Sequence, residues 1–521
     1  MKFGVIFLIV LGSLLTRETD SAKILSVFAY PGPSQYIFAS AILKKLTERG
    51  HEVTSISMFP QQKPVKNFRD IYIPENANLV ADLLTHVDEM QQRSKLENMM
   101  TMYDIGLSMC PNVFRNKEIQ KLLKSSEEKF DLIIIELFLA ESLYGLARHF
   151  NAPIVGLSTF GTTSFIDRVV GNTSPPSFLP SVFTPFDTKM TYRERLSNFI
   201  QIGIDNLYYN FFYLPKQEEI YKQFFPNAKI SLQEIQKKFS LVLLNQHFSL
   251  SYPRPYVTNM IEVGGVHIKQ IPDLLPQELQ AFLDNATEGA IYFSMGSNLK
   301  SKDLPPEKLQ IFVNVFRSLK QKVLWKFEDT ELPNKPDNVY ISKWYPQPSV
   351  LAHPNVKAFI THGGLLSTTE AIYHAKPVLG IPRFFDQPMN VANAVKRGYA
   401  KSVDFKTLNE TDLKLGLSEL LYNPIYTQNV QIYSKRLRDH PMTPLETAIF
   451  WLEYVLRHDG ALHLRNTGAD LNFWQYHSID IILTILGVIL FVLSFITLVI
   501  YKLIGLIYGK RSKRKTKSKQ N

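Results

Sequence analysis

The sequence predicts an α/β protein in which two doubly wound domains are followed by one transmembrane helix. Short stretches that are apolar throughout alternate with stretches of helical periodicity, which is typical of a parallel sheet covered on both faces. This alternation occurs twice, and a segment rich in proline and glycine separates the two occurrences. A chain of 521 residues, 45% of them hydrophobic, is also too long for a single core.

The first occurrence contains four predicted strands and a clear helix. The strands are "KILSVFAY", "HEVTSISMF", "FDLIIIELF" and "NAPIVGLS". Between the first two, Phe38, Ile42 and Leu46 lie on one face of a predicted helix that ends at Gly50.

The second occurrence starts at "GAIYFSMGS" and continues with the predicted strands "KVLWKFE", "VYIS", 356–360 and "KPVLGIP". After Pro441, "TPLETAIFWLEYVLRH" begins with the capping-box pair Thr443 and Glu446 and is predicted to be helical. The predicted segments are a first domain at 23–250, a linker at 251–276, a second domain at 277–440 and further helices at 441–478.

Both ends of the chain depart from globular composition. Residues 1–22 carry a long apolar run and end in small residues, which predicts a cleaved signal peptide; a buried first strand is the alternative. Residues 481–501 contain no charge and would extend ~31 Å as a helix, enough to cross a bilayer. A transmembrane helix is therefore predicted at 479–501.

The tail at 502–521 holds eight Lys and Arg and no acid, so most of the formal net charge of +11 lies beside the membrane. Basic flanks stay cytosolic, which predicts a single-pass type I protein with lumenal domains. This distribution does not indicate nucleic-acid binding. Lys517 and Lys519 resemble a retrieval signal of the endoplasmic reticulum, and a plain basic flank is the alternative.

Three further features concern the domains themselves. Cys110 is the only cysteine, so no intramolecular disulfide is possible. Sequons at Asn172, Asn285 and Asn409 are candidate glycosylation sites. The aromatic stretch at 206–225 is predicted to be ordinary core, and its alternatives are the wall of an apolar acceptor cleft or a contact with the membrane surface.

The stretch 356–378, "VKAFITHGGLLSTTEAIYHAKPV", predicts a ligand site in the second domain. A buried strand ends in His362 and two glycines, and a helix begins near Ser367. Ligands of open α/β sheets bind at the carboxyl ends of strands, and a helix N-terminus suits a phosphate. A glycine turn that serves packing alone is the alternative.

Polar and aromatic residues at neighbouring strand ends complete this predicted site. Trp344 could stack on a base, Gln347 could hydrogen-bond to it, and Glu370 could hold ribose hydroxyls. Asp386 and Gln387 follow the next strand and could hold sugar hydroxyls. Partners for base, ribose, phosphate and sugar at successive strand ends favour a nucleotide sugar.

The stretch "WYPQPSVLAHPNVKAFITHGGLLSTTEAIYHAKPVLGIPRFFDQ" resembles the signature of the UDP-glycosyltransferases. "RGHEVT", "SYPRPYVTNM", "FSMGS" and "NFWQYHSID" extend the resemblance to nearly the whole chain, and membrane-bound insect members look most similar. The resemblance implies a GT-B fold of two Rossmann-like domains. It also implies inverting transfer of a hexose, glucose more than glucuronic acid, from a UDP-sugar to small lipophilic acceptors.

The resemblance assigns roles to the residues of the donor site. It places Trp344 on uracil, Gln347 on uracil or ribose and Glu370 on the ribose hydroxyls. It places Asp386 and Gln387 on the sugar. It also implies diphosphate contacts from His362, Ser367 and the backbone of Gly364, with Ser297 and Arg254 as weaker candidates. Many relatives carry asparagine where this chain has Leu366. The chain has no D-x-D, so neither a metal nor another cofactor is expected.

The resemblance leaves a gap at the catalytic base. Most relatives carry a base histidine in the first strand-to-helix loop, where this chain has Gln35. Glu136 matches the acid that orients this base and follows an apolar strand whose surroundings could raise its pKa toward base duty. A solvated loop carboxylate is the alternative for Glu136.

Two functions from different classes therefore stay open. The first is an active conjugating transferase of the endoplasmic reticulum membrane, either alone or as a homo- or hetero-oligomer. The second is a catalytically silent relative that binds UDP-sugar or lipophiles, and it rests on Gln35. A dinucleotide oxidoreductase is not favoured, because G-x-G-x-x-G follows the first strand of neither domain.

Overall fold

The computed structural model describes residues 21–79, 93–181, 184 and 186–517. It divides the chain into a unit that ends at Asn466 and a second unit from Thr467 onward. The signal-peptide prediction lies outside the described residues, apart from Ser21 and Ala22. The tail prediction lies outside them from residue 518 onward, and Lys519 with it.

The first sheet of the larger unit has seven parallel strands in the order β3-β2-β1-β4-β5-β6-β7. The strands are β1 Lys23–Phe28, β2 Glu52–Ser57, β3 Phe68–Tyr72, β4 Leu132–Glu136, β5 Ile154–Ser158, β6 Phe239–Leu244 and β7 Met260–Glu262. The helices around it are α1 Pro33–Glu48, α2 Lys95–Arg115, α3 Lys117–Lys124, α4 Gly145–Phe150, α5 Ser164–Val169, α6 Tyr192–Tyr208, α7 Leu214–Phe224 and α8 Leu232–Gln236. A π-helical turn, Tyr209–Tyr213, joins α6 to α7.

The second sheet has six parallel strands in the order β10-β9-β8-β11-β12-β13. The strands are β8 Ala290–Ser294, β9 Lys322–Lys326, β10 Val339–Ser342, β11 Val356–Thr361, β12 Val378–Gly380 and β13 Ala400–Ser402. The helices are α9 Gln277–Asp284, α10 Pro306–Arg317, α11 Gln347–Ala352, α12 Leu365–Tyr373, α13 Gln387–Lys396, α14 Glu410–Tyr422, α15 Pro424–Arg438 and α16 Pro444–Arg457. The predicted fold class is confirmed in both halves.

The apolar character of the central strands follows from their burial on both faces. Along β4, Ile133 and Ile135 belong to one core, whereas Leu132 and Ile134 belong to the core on the opposite face. Successive side chains of a strand point to opposite faces, so a strand between two helical layers needs apolar residues at every position.

Helix α16 follows the second domain in sequence but packs on the first sheet. Its residues Ala448, Ile449 and Leu452 are fully buried in the core that α1 also lines. Glu453 accepts from the guanidinium of Arg49, with Nε 3.0 Å from Oε1. The last α-helix of the larger unit therefore ties the two halves of this unit together, which the sequence pattern did not indicate.

Strand β7 lies inside the segment that was predicted as a linker. It pairs with β6 from Met260 to Glu262, so the first sheet extends beyond residue 250. Strands β7 and β13 have only three residues each, which is too short for a periodicity to register.

The aromatic stretch at 206–225 divides between two environments. Tyr209, Tyr213 and Tyr221 are buried in the core, as predicted. Phe211 and Phe212 are exposed on the surface.

The second unit contains helix α17, Phe473–Tyr476, and the long helix α18, Ile479–Lys517. Among the described residues, α18 is the one helix long and apolar enough to cross a membrane, from Ile479 to Tyr508. The candidate span continues past the predicted end at 501 because apolar residues resume after Lys502.

Candidate functional site

A cavity of about 410 Å³ lies where the carboxyl ends of the two sheets face each other. Its walls come from the loops that follow β1, β4, β5 and β6 in the first sheet and β8, β10, β11 and β12 in the second. The sequence-predicted donor residues all line it: Arg254, Ser297, Trp344, Gln347, His362, Gly364, Ser367, Glu370, Asp386 and Gln387. Gln35 lines it too, and Glu136 does not.

The turn after β11 is built around the imidazole of His362. Gly296 and Gly363 both have positive φ, +85° and +83°. A Cβ on Gly296 would overlap the His362 ring, and one on Gly364 would lie 2.7 Å from Nε2. Gly296 and Gly364 therefore make room for the histidine. Gly363 makes room for Val391, because a Cβ on Gly363 would overlap that side chain.

His362 is neutral in the free protein. Burial, and then the charge of Lys326, lower the pKa of His362 to about 4. A neutral imidazole donates one hydrogen bond and accepts another, so the predicted contact of His362 with a phosphate would be a hydrogen bond from an uncharged ring. The positive end of α12 stands beside it, since Gly364 is the N-cap and no side chain caps the helix.

Two side chains from distant parts of the chain converge on Glu370 in α12. Gln347 donates from Nε2 to Oε2 of Glu370 at 2.7 Å and to Oγ of Ser367 at 3.0 Å. Nε2 of His267 lies 3.0 Å from Oε1 of Glu370, but neither ring nitrogen of His267 makes a hydrogen bond. The hydrogen bond from Gln347 thus holds the carboxylate in place before any ligand binds, as pre-organised sites require.

The remaining predicted donor residues differ in their exposure and in the hydrogen bonds that their side chains already make. Trp344 is 58% exposed, and Nζ of Lys326 lies over its ring, 5.6 Å from the centroid. Asp386 accepts from Nδ2 of Asn390 at 2.7 Å, and burial raises its pKa above the usual range. Gln387 uses Oε1 to accept from the backbone N–H groups of Arg383 and Phe384, so this amide also shapes its own loop.

Arg254 forms a buried ion pair rather than standing free for a ligand. Its Nη2 lies 2.6 Å from Oδ2 of Asp167, and Ser174 contacts both groups. Its Nε is buried without a hydrogen-bond partner. Arg254 can therefore offer the cavity only part of its guanidinium.

Glu136 lies behind the cavity wall. It is 2% exposed, so the alternative of a solvated loop carboxylate is wrong. Thr159 donates from Oγ1 to Oε1 of Glu136 at 3.3 Å, and the backbone N–H of Tyr30 is a second donor. Both donors belong to residues that line the cavity. Burial raises the pKa of Glu136 to about 8 despite these two hydrogen bonds.

Comparison with known proteins decides the family. The model of the UDP-glucuronosyl and UDP-glucosyl transferase family matches residues 22–518. UDP-glucosyltransferase 2 of Dactylopius coccus is 36% identical over 92% of this chain and 93% of its own length. UDP-glucuronosyltransferase 2B10 of Homo sapiens is 33% identical over 89% of this chain and 90% of its own.

The chain belongs to the UDP-glycosyltransferase family. Solved structures agree on the fold of this UDP-glycosyltransferase. Glycosyltransferase VinC in complex with dTDP has a TM-score of 0.56 at 16% identity, covering 84% of this chain and 100% of its own. The calicheamicin glycosyltransferase CalG4 has a TM-score of 0.56 at 15% identity, covering 84% and 99%. At such identities the likeness shows the GT-B fold alone.

Sequence reasoning missed two polar features of the transferase cavity. His267 lies in the predicted linker, its side chain is 2% exposed, and it lines the cavity. The Gly264-Gly265 pair before His267 could have indicated a second site-lining turn, because a glycine pair also lies beside His362. Tyr103 and Asp205 also line the cavity and share a 2.9 Å hydrogen bond from Oη to Oδ1.

The three sequons occupy different environments. Asn172 is 6% exposed, and its Nδ2 donates to Asp167 and to the carbonyl of Pro255. The folded transferase leaves no room for a glycan on this amide, so the prediction at Asn172 conflicts with the structure. Asn285 and Asn409 are exposed and stay candidates.

Replacing Trp344 or His362 by alanine is expected to weaken UDP binding. Loss of a stacked base or of a phosphate hydrogen bond costs about 1–3 kcal/mol, or roughly 5- to 150-fold in Kd. Calorimetry with UDP measures the change, and Trp474→Ala, on an exposed tryptophan of the second unit, is the control. Unchanged affinity in both cavity variants would contradict the donor-site assignment.

Proposed function

We propose that this UDP-glycosyltransferase moves a hexose from a UDP-sugar to a small lipophilic acceptor and inverts the anomeric carbon. The cavity carries this proposal. One end holds the glycine turn, the α12 N-terminus and Glu370, which suit a nucleoside diphosphate. The other end is mostly apolar, with walls from residues that include Ile37, Met99, Met102, Phe138, Leu139 and Phe165.

Glucose is the proposed sugar. The insect relative that is named a glucosyltransferase is somewhat more similar to the chain than the human glucuronosyltransferase is. The basic residues that line the cavity include Lys326, Arg254 and His362. Lys326 is paired with Glu328, Arg254 is paired with Asp167, and burial lowers the pKa of His362. Little unpaired positive charge is therefore left for a glucuronate carboxylate, which supports the uncharged sugar.

The acceptor proton needs a path that Gln35 cannot supply, because an amide does not take up a proton near neutral pH. In the proposed path, the acceptor oxygen bonds to the anomeric carbon as the bond to UDP breaks. The acceptor proton passes to Oγ1 of Thr159, whose own proton passes to ionised Glu136. Gln35 holds the acceptor oxygen with its amide, and α12 with His362 receives the charge of the leaving UDP.

The test of this function is incubation of the full-length protein with labelled UDP-glucose or UDP-glucuronate and a panel of phenols and alcohols. The expected result is a β-glucoside, with less glucuronide. Transfer from UDP-glucuronate alone would overturn the choice of sugar, and α-linked products would overturn inversion.

One observation favours a second candidate, the catalytically silent binding protein. The position at which most relatives carry the base histidine is Gln35, and the retained acid lies behind the cavity wall. UDP binding without turnover on any acceptor, together with activity gained in Gln35→His, would select this candidate.

Chelation is expected to leave the transfer rate unchanged. The proposal meets the charge of the diphosphate with the α12 N-terminus and His362, and the chain contains no D-x-D. The measurement compares rates with EDTA and with added Mg²⁺ or Mn²⁺. A rate that falls on chelation and returns with the ion would contradict a metal-free donor site.

We also propose a type I orientation in the endoplasmic reticulum membrane, with the cavity in the lumen. The support is the apolar span of α18 and the basic residues that follow this span. Protease added to intact microsomes is expected to remove only the residues after the span. Digestion of the larger unit in sealed vesicles, before detergent is added, would contradict this orientation.

A further inference from the structure

A second, smaller cavity adjoins the apolar end of the main one. Its volume is about 40 Å³, enough for a group somewhat larger than a water molecule. We call it the side pocket. Eight of its twelve wall residues have polar side chains, whereas the acceptor end of the main cavity is mostly apolar. Six residues line both cavities, so the two lie side by side: Thr162, Thr163, Phe165, Pro180, Asp205 and Arg254.

Asp167, one of the two acids in this wall, is already fully used. Its Oδ1 accepts from Oγ1 of Thr162 and from Nδ2 of Asn172, both at 2.8 Å. Its Oδ2 accepts from Arg254 and from Ser174. A carboxylate has about four acceptor positions, so these four hydrogen bonds leave none for a ligand. Asp167 therefore shapes the side pocket and does not bind in it.

Two polar groups of the side pocket keep unused hydrogen-bonding capacity. The side chain of Arg254 is 7% exposed, and its Nε is buried without an acceptor. Asp205 accepts from Oη of Tyr103 at 2.9 Å and from Ser164 as a second donor, which leaves about two of its acceptor positions. Both residues also line the main cavity, so a molecule bound there can reach one free donor and one free acceptor.

The chemistry of this pair selects the group that fits. An ammonium group could donate to Asp205 but offers no acceptor to Nε of Arg254. A carboxylate could accept from Arg254 but has nothing to donate to Asp205. A hydroxyl does both, since it carries one donor and two acceptor lone pairs. A methyl group of similar size would leave the buried Nε unpaired, which is costly.

We infer that Asp205 and Arg254 bind a second hydroxyl of the acceptor, distinct from the hydroxyl that receives the sugar. The preferred acceptor is then a lipophilic molecule with two hydroxyls, the second one held at the side pocket. This inference rests on the proposed function and narrows its substrate class.

Matched acceptors test the inference on the full-length protein. Each pair consists of a rigid aromatic diol, with its hydroxyls at opposite ends, and the same molecule with methyl in place of one hydroxyl. Naphthalene, biphenyl and stilbene pairs cover three lengths. For at least one length, kcat/KM is expected to favour the diol by about 10- to 100-fold, beyond the statistical factor of two for its equivalent hydroxyls. A ratio of two in every pair would overturn the inference.

Variants assign this preference to the two residues. Asp205→Leu removes the acceptor, and Arg254→Lys keeps a positive charge opposite Asp167 but removes Nε. Each is expected to bring the ratio down toward two. The matched control is Asp104→Leu, on an exposed residue of α2 that does not line the cavity, and it should keep the full preference. Calorimetry with UDP checks folding, and Asp205→Leu alone carries the test if Arg254→Lys does not fold. The full preference in folded Asp205→Leu would overturn the inference.

A binding arm separates this inference from the proposed function. Calorimetry without donor gives the Kd of each diol and of its methyl partner. Tighter binding of a diol that is lost in Asp205→Leu, without transfer to any acceptor, would remove the proposed function and support the second-hydroxyl site. Transfer to both members of every pair, with equal Kd values, would overturn the second-hydroxyl site and leave the proposed function in place.

Discussion

Replacing Gln35 by histidine is expected to raise the turnover of aliphatic alcohols by about 10²-fold. The amide of Gln35 lines the cavity from the first turn of α1, and its Oε1 is buried without a partner. A Cβ on Gly32 would lie 2.9 Å from Oε1 and 2.9 Å from the ring of Tyr30. An imidazole with a pKa of about 6.5 placed there can take the acceptor proton, and a positioned base contributes roughly 10²- to 10⁴-fold.

The matched control is Gln35→Leu, which has similar volume and can neither hold nor deprotonate a hydroxyl. It should turn over alcohols more slowly than the wild type. The lower limb of the pH–rate profile should move from about 8, the pKa of Glu136, toward about 6.5 in Gln35→His. A histidine variant that binds UDP normally and gains no rate would show that position 35 does not contact the acceptor.

Much of the fold could be predicted because a strand that is buried on both faces needs apolar residues at every position. "DLIII" reads as a strand since both faces of β4 meet a helical layer. The short edge strands β13 and β7 contain no such apolar run. Packing of α16 on the first sheet also escaped prediction, because periodicity shows that a helix has an apolar face and not which partner covers it.

The donor end could be predicted in more detail than the acceptor end. Its residues follow consecutive strands, so topology alone brings Trp344, His362 and Asp386 to one edge. His267 lies in a connecting segment and Asp205 lies in α6. Because neither residue follows a predicted strand, the sequence did not place them at the cavity.

Replacing Glu136 by glutamine is expected to lower the rate with alcohol acceptors by about 10²-fold or more, the size of a general-base contribution. The carboxylate would be the final acceptor of the proton, and an amide of the same shape cannot take that role. UDP affinity should stay the same, because the donor residues other than Arg254 lie on the other sheet. Acidic phenols, which ionise on their own, should lose least.

The pH dependence of the free energy of unfolding provides a second, independent test of the burial of Glu136. Its folded pKa of about 8 exceeds its usual 4.5, so the folded protein holds this proton more tightly than the unfolded chain does. The stabilisation is complete below about pH 4.5 and is lost as pH rises through about 8. Between these limits the free energy of unfolding should fall more steeply with pH in the wild type than in Glu136→Gln.

Variants of Thr159 decide whether Glu136 acts through this hydroxyl. Thr159→Val keeps the shape and removes the Oγ1 that bridges the cavity and Oε1 of Glu136, so it should lose nearly as much rate as Glu136→Gln. Thr159→Ser retains the hydroxyl and should stay close to the wild type. Combining Thr159→Val with Glu136→Gln in one chain should lose no more rate than either single change, because both break one path. Full activity in Thr159→Val, with Glu136→Gln still slow, would leave Glu136 as the base and exclude Thr159 from its path.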